Sequence, residues 1–187
     1  MDLASLWLPI VLSGVIVFMA SAILHMVIPF HKGDFKGMPG EAGITAEMRK
    51  NSLGPGVYMF PYAPSMKDCQ SPEYLERYGK GPVGILTILP AGPKPSMGKN
   101  LAQWFVFCLV ISCFSAYVCT LLPAGTAYSV VFRWAGTVAI LGYSASSMTE
   151  SIWGGRPWGT TVKFIIDGVV YGLLTGGTFG WLWPKAM

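Results

Sequence analysis

The chain has 187 residues, of which 52% are hydrophobic and only 12% charged, with a mean hydropathy of +0.50. A soluble domain carries about 25% charge, so this composition excludes an ordinary soluble domain and places the chain among membrane proteins. The formal charge of +4 is spread along the sequence without a basic block, which excludes nucleic acid as a partner.

The first apolar run, Leu6 to Phe30, holds no charged residue and is long enough to cross a hydrocarbon core of ~30 Å with some tilt. The Met-Asp-Leu-Ala-Ser start lacks the basic region of a secretory leader, so the run reads as a retained span. Gly14, Phe18, Ser21 and His25 follow the spacing of one helical face, which turns inward in this reading. Residues 31–100 are polar, rich in Gly and Pro, and hold nine of the thirteen Lys and Arg residues. At ~70 residues the stretch is too long for a plain connection and reads as an extramembrane cap or arm with short helices. Thr45 to Asn51 starts with a cap residue and an early acid. Ser71 to Gly79 combines a Ser cap, Pro at the first helical position, early acids and a late Arg. Gly56 to Pro64 reads as an extended aromatic segment at the membrane surface. Val83 to Ala91 is too short to span as a helix and reads as a strand, an interfacial segment or a re-entrant dip.

Three further spans follow, at about 101–122, 128–149 and 162–183, which completes an all-α integral membrane fold of four helices. Cys108, Ser112, Ser115 and Cys119 share a face of the second. The tight Pro123–Thr126 turn makes the second and third antiparallel neighbours, and Ala135, Ala139, Gly142 and Ser146 share a face of the third. Trp153, Trp158, Trp181 and Trp183 fall at span ends, as interfacial tryptophans do. Lys32, Lys36, Lys94 and Lys99 flank the long loop, and Arg156 and Lys163 flank the third-to-fourth turn. The positive-inside rule therefore puts the loop in the cytoplasm and both termini outside, in a membrane of the bacterial inner type.

The last span carries glycine at every fourth residue: Gly168, Gly172, Gly176 and Gly180. Such a ladder lets another helix approach closely, and contact with three short neighbours does not obviously require so long a one. It reads as a docking face for another subunit or a second copy of the chain. Asp167, within the same run, shares a face with Tyr171, Thr175 and Thr178. An ionisable residue inside a span marks a functional site by default. The simpler reading ties Asp167 to Lys163, one turn back, or to Arg156. Arg133, the other intramembrane charge, lies too far along the membrane normal to pair with Asp167 and snorkels outward. Glu150 and Arg156 are the better pair.

His25 and His31 are the only histidines. On a regular helix they point about 120° apart, with Pro29 between them, which argues against shared chelation. Alone on its small-residue face, His25 is the one position for a haem or chlorin ligand. The three cysteines of the second span lack His or acid partners at metal spacing and read as packing; with Cys69 isolated, no disulfide framework emerges. Gly92 to Asn100 resembles a phosphate loop but has Pro93 and Asn100 where the motif needs Gly and Ser or Thr. The repeated Thr-x-Leu-Pro-Ala-Gly at Thr87 and Thr120 reads as the same stop chemistry used twice. No triad, carboxylate pair or His-acid metal cluster can be assembled, so catalysis is not expected. The reading that follows is a non-catalytic accessory or assembly subunit of a membrane complex, in contact with lipid and with other subunits or its own copies. Two alternatives stand beside it: a small-solute or proton transporter using the Asp167 stripe, and a haem or chlorin carrier ligated by His25.

Overall fold

The computed structural model of the chain describes residues 1–93 and 96–186. Lys94 and Pro95, read above as part of the basic flank and of the phosphate-loop-like stretch, lie outside the described residues. The structure is mostly helical (66%), with three helices long and apolar enough to cross a membrane and a small two-stranded sheet. The sheet is the first departure from an all-α fold.

The chain divides into two compact units, Met1–Asp34 with Pro95–Met187, and Phe35–Lys94. The second unit holds α2 (Glu41–Lys50), β1 (Gly56–Phe60), α3 (Pro72–Lys80) and β2 (Gly84–Ile88). Its strands pair antiparallel, with Gly56 opposite Ile88 and Phe60 opposite Gly84. The alternatives for Val83–Ala91 thus resolve as a strand, and its partner is the aromatic segment. Helix α3 starts where the Ser-Pro signal places it: the Ser71 hydroxyl accepts the Tyr74 amide, satisfying one of the free N–H groups of the first turn. Helix α2 starts four residues before Thr45. Gly40 adopts a left-handed conformation (φ 69°) that L side chains avoid, and Glu41 follows as the early acid.

The first unit is a bundle of α1 (Trp7–Ala22), α4 (Met97–Cys119), α5 (Tyr128–Ile152) and α6 (Trp158–Trp181). The apolar stretch containing α1 runs over Leu3–Val27 and, with α4 and α6, makes up the three helices of membrane length and hydropathy. Helix α5 is equally long but not apolar enough, because Arg133, Glu150 and the serines Ser144, Ser146 and Ser147 dilute it. Gly125 (φ 77°) turns the chain between α4 and α5, and its amide donates to Pro184 O at 2.8 Å beyond α6. The end of α4, the start of α5 and the end of α6 therefore lie together.

The small-residue stripes are where the helices meet. Cys108, Ser112, Ser115 and Cys119 are fully buried, and Ser112 meets Ser13 of α1, hydroxyl to hydroxyl at 2.9 Å. Ala135 and Ala139 are equally buried, whereas Ser146 of the same predicted face is exposed. The glycine ladder of α6 lies against α5 of its own chain. A Cβ at Gly176 would stand 2.6 Å from Phe132 O and 3.1 Å from Gly136 Cα, and one at Gly180 would stand 2.7 Å from the Tyr128 ring. At Gly172 it would meet the Ile140 side chain and, at 2.8 Å, the Ile140 amide; at Gly168 it would meet the Ser144 hydroxyl. The face assigned above to an outside partner is thus occupied by α5, with the two backbones touching where Gly136 faces Gly172 and Gly176.

Candidate metal centre

At the opposite end of the bundle α1 does not continue as a regular helix. Ile23–Val27 form a π-turn in which the Ile28 amide donates to Ile23 O at 3.0 Å, one residue further back than in an α-helix. Proline disfavours the helical region for the residue before it. Ile28 is extended (φ −86°, ψ 126°), and Pro29–His31 form a 3₁₀ turn. The wide turn, the extended residue and the tight turn together fold the chain back on itself. The His25 and His31 rings stack, with centroids 4.3 Å apart and planes within 7°. The 120° argument fails because no regular helix joins the two residues.

Both rings turn the same nitrogen toward one carboxylate on α6. His31 Nε2 lies 2.8 Å from Asp167 Oδ2, and His25 Nε2 lies 3.8 Å from the same oxygen. The other nitrogen of each ring has its own acceptor: His25 Nδ1 lies 3.1 Å from Ser21 O, and His31 Nδ1 lies 2.7 Å from Asp34 Oδ2. Each Nδ1 thus has an acceptor of its own, and His31 stands between two carboxylates, an arrangement that suits an imidazolium or a cation at Nε2. At 2.8 Å, His31 Nε2 and an ionised Asp167 oxygen need a proton or a cation between them. The three ligand atoms, His25 Nε2, His31 Nε2 and Asp167 Oδ2, all lie within 4.8 Å of one another.

The surroundings hold this arrangement. Lys163 Nζ donates to Asp34 Oδ1 at 2.6 Å, and the two Asp34 oxygens are divided between Lys163 and His31. The Lys163 ammonium, followed by His31, holds the Asp34 carboxyl below the usual carboxylate range against the opposing effect of burial. Lys163 Nζ also lies 5.7 Å from the Phe30 ring centroid, and the Phe164 ring closes over His31 at 5.2 Å. The Asp167 side chain is 3% exposed, and its Oδ1 has no hydrogen-bond partner among the described residues. A buried carboxylate oxygen in that position is costly unless it meets a donor or a cation.

The centre opens onto a cavity of about 460 Å³ between α1, α4, α5 and α6, lined by Phe18, Trp104, Phe107, Tyr143 and Tyr171 among others. The Trp104 indole N–H donates to the Ser21 hydroxyl at 2.7 Å, fixing one wall. The Tyr171 hydroxyl is buried without a partner among the described residues. A scan against protein-family models finds no match, and no curated protein or solved structure matches the chain.

The residues singled out from sequence divide in two. His25, Asp167 and Tyr171 come together. Thr175 and Thr178 are buried but line no part of the cavity, and their hydroxyls bond back to Tyr171 O and Leu174 O of their own helix. The polar stripe is thus not one continuous path. Arg133 is exposed on α5. Arg156 pairs with Glu150 at 3.7 Å, as expected, and stacks over Phe164. Lys163 pairs with Asp34 and not with Asp167. A haem or chlorin at His25 meets a steric objection: its ring plane would lie across the Nε2 direction, where Asp167 stands, and His31 covers one face of the imidazole. Sequence reasoning missed Asp34, argued against a joint role for His31, and paired Lys163 with Asp167. The signals present were His31 and Asp34 three residues apart and Pro29 as a break in the helix.

Proposed function

We propose that this chain is a four-span membrane protein that binds a divalent first-row transition ion through His25, His31 and Asp167. The observation that carries this is the pairing of each Nδ1 with a second acceptor while both Nε2 atoms converge on Asp167. Imidazole ligands of metal ions are held in this way, their outer N–H donated to a carboxylate or backbone carbonyl that sets tautomer and orientation. Two imidazoles and one carboxylate suit zinc or ferrous iron; magnesium and calcium prefer oxygen ligands. An ion at ~2.0–2.1 Å from each nitrogen in tetrahedral geometry brings the nitrogens to about 3.3 Å. The rings, stacked within 7° of parallel, must swing apart for their in-plane Nε2 lone pairs to converge on one ion. Three protein ligands leave a position open toward the cavity.

Four spans are supported by the way α5 lies along α6 from Tyr128 to Ser144. A helix so matched to a membrane-length neighbour shares its depth, and its serines face protein and not lipid at Ser144 and Ser147. By the positive-inside rule, Lys32 and Lys163, on the segments that carry the centre, favour the cytoplasmic end of the bundle in a bacterial inner-membrane setting. This reading replaces that of a docking subunit, whose chief support was a glycine face without a local partner.

The test is equilibrium dialysis of the purified chain against zinc, with metal content read by mass spectrometry. One zinc per chain is expected, with loss in His31→Ala and Asp167→Asn while helix content is kept. Uptake unchanged in both variants would remove the site.

A further inference from the structure

We propose that the cavity beside Asp167 binds a lipid-soluble aromatic molecule bearing a hydroxyl, of the phenol or quinol class. The inference deepens the metal reading by naming a ligand for the same site, but its observations are separate. The cavity has the volume of an organic ligand site, about 460 Å³, and a wall made largely of aromatic rings. Two residues of the lining, Asp167 and Tyr171, each hold a polar atom just behind the wall, Oδ1 and Oη, that is buried and has no partner among the described residues. One requires a donor and the other offers one. A hydroxyl serves both, donating to Asp167 Oδ1 and accepting from Tyr171. A carbonyl would serve only the tyrosine, and a hydrocarbon chain neither. Each polar group left unpaired costs about tenfold in affinity.

The ring follows from the wall. Tyr143 and Tyr171 cross at 77° with centroids 5.4 Å apart, and Trp104 and Tyr171 cross at 62° at 6.1 Å. Planes crossed in this way present both faces and edges to a guest ring, the arrangements aromatic pairs prefer. Trp104 is held in place by its bond to Ser21, so the slot is preformed. Water could serve the two oxygens but would leave the remaining apolar volume without partners. Met26 and Leu101 line the cavity and are exposed on the apolar flank of the bundle, so a guest enters sideways from the bilayer.

The test is a titration of the full chain in lipid nanodiscs with 2-naphthol, read by energy transfer from tryptophan, with naphthalene and decanol as controls. Saturable binding of one naphthol per chain is expected, at least tenfold tighter than naphthalene and not displaced by decanol. Tyr171→Phe should weaken it about tenfold. Ala22→Phe, which fills the cavity, should abolish it while zinc content is unchanged. Naphthalene binding as tightly as naphthol, displacement by decanol, or full binding in Ala22→Phe would overturn the proposal. Saturable naphthol binding in a chain that takes up no zinc would sink the metal reading and leave this one standing. Zinc uptake without saturable naphthol binding would do the reverse.

Discussion

In the proposed metal centre, Asp34 is the residue that orients His31 as a ligand. Its carboxylate accepts a hydrogen bond at Nδ1 and so turns Nε2 toward Asp167, and Lys163 holds it ionised through the neutral range. Only acid below the ordinary carboxylate range, about pH 4, would remove that acceptor. Asp34→Asn should therefore lower zinc affinity by about 10–100-fold, the usual cost of losing a carboxylate partner to a metal-bound imidazole. Competition with a chelator measures this, and an unchanged affinity would show that Asp34 has no part in orienting the ring. Lys163→Met should act in the same direction by a smaller factor, because it perturbs Asp34 and not the imidazole itself. His25 and Asp167 were legible in the sequence, since an ionisable side chain in an apolar run stands out. Their meeting with His31 was not, because spacing was converted to angle on the assumption of an unbroken helix. Pro29 carried the contrary information: a residue before proline leaves the helical region, and angles counted across it lose meaning.

Among the elements, the break in α1 and the α5–α6 contact decide most. Deleting Leu24 removes the extra residue of the π-turn and rotates His25 by about 100° relative to the helix before it. Zinc uptake should vanish while circular dichroism shows the helix content intact; retained uptake would mean the π-turn does not position the site. Gly176→Leu forces a side chain into Phe132 O and Gly136. It should destabilise the isolated chain by about 1–3 kcal/mol or more, the range for overpacking a tight contact, as read by thermal unfolding in mild detergent. A stable monomer that merely loses an oligomer would return the ladder to a partner. The glycine spacing was legible and its consequence, close helix approach, holds. What four-residue spacing cannot name is the helix that approaches, since α5 and an outside helix satisfy the same pattern. In the polar segment α3 was legible because Ser71-Pro72 is a strong local signal. The start of α2 was not, because Thr45, read as a cap, sits inside the helix and donates its hydroxyl to Glu41 O at 2.8 Å.

For the whole molecule, four spans require both ends of the bundle to be reached from opposite sides of the membrane. Cys69 should react with a membrane-impermeant thiol reagent only from the cytoplasmic side, and a cysteine placed at Thr126 only from the outside. Labelling of both from one side would contradict four spans. The membrane class was legible in composition alone, whereas α5 fell short through Arg133, Glu150 and its serines, of which Ser144 and Ser147 are buried within the bundle. A metal centre of two histidines and one aspartate, as proposed for the bundle's basic end, is most directly tested with a spectroscopic ion. Cobalt(II) added to the metal-free chain makes such ligands visible by absorption and by X-ray absorption spectroscopy. Visible d–d bands and scattering from two imidazoles at one cobalt per chain are expected, both lost in His31→Ala. A colourless preparation, or cobalt surrounded by oxygen alone, would contradict the proposed centre.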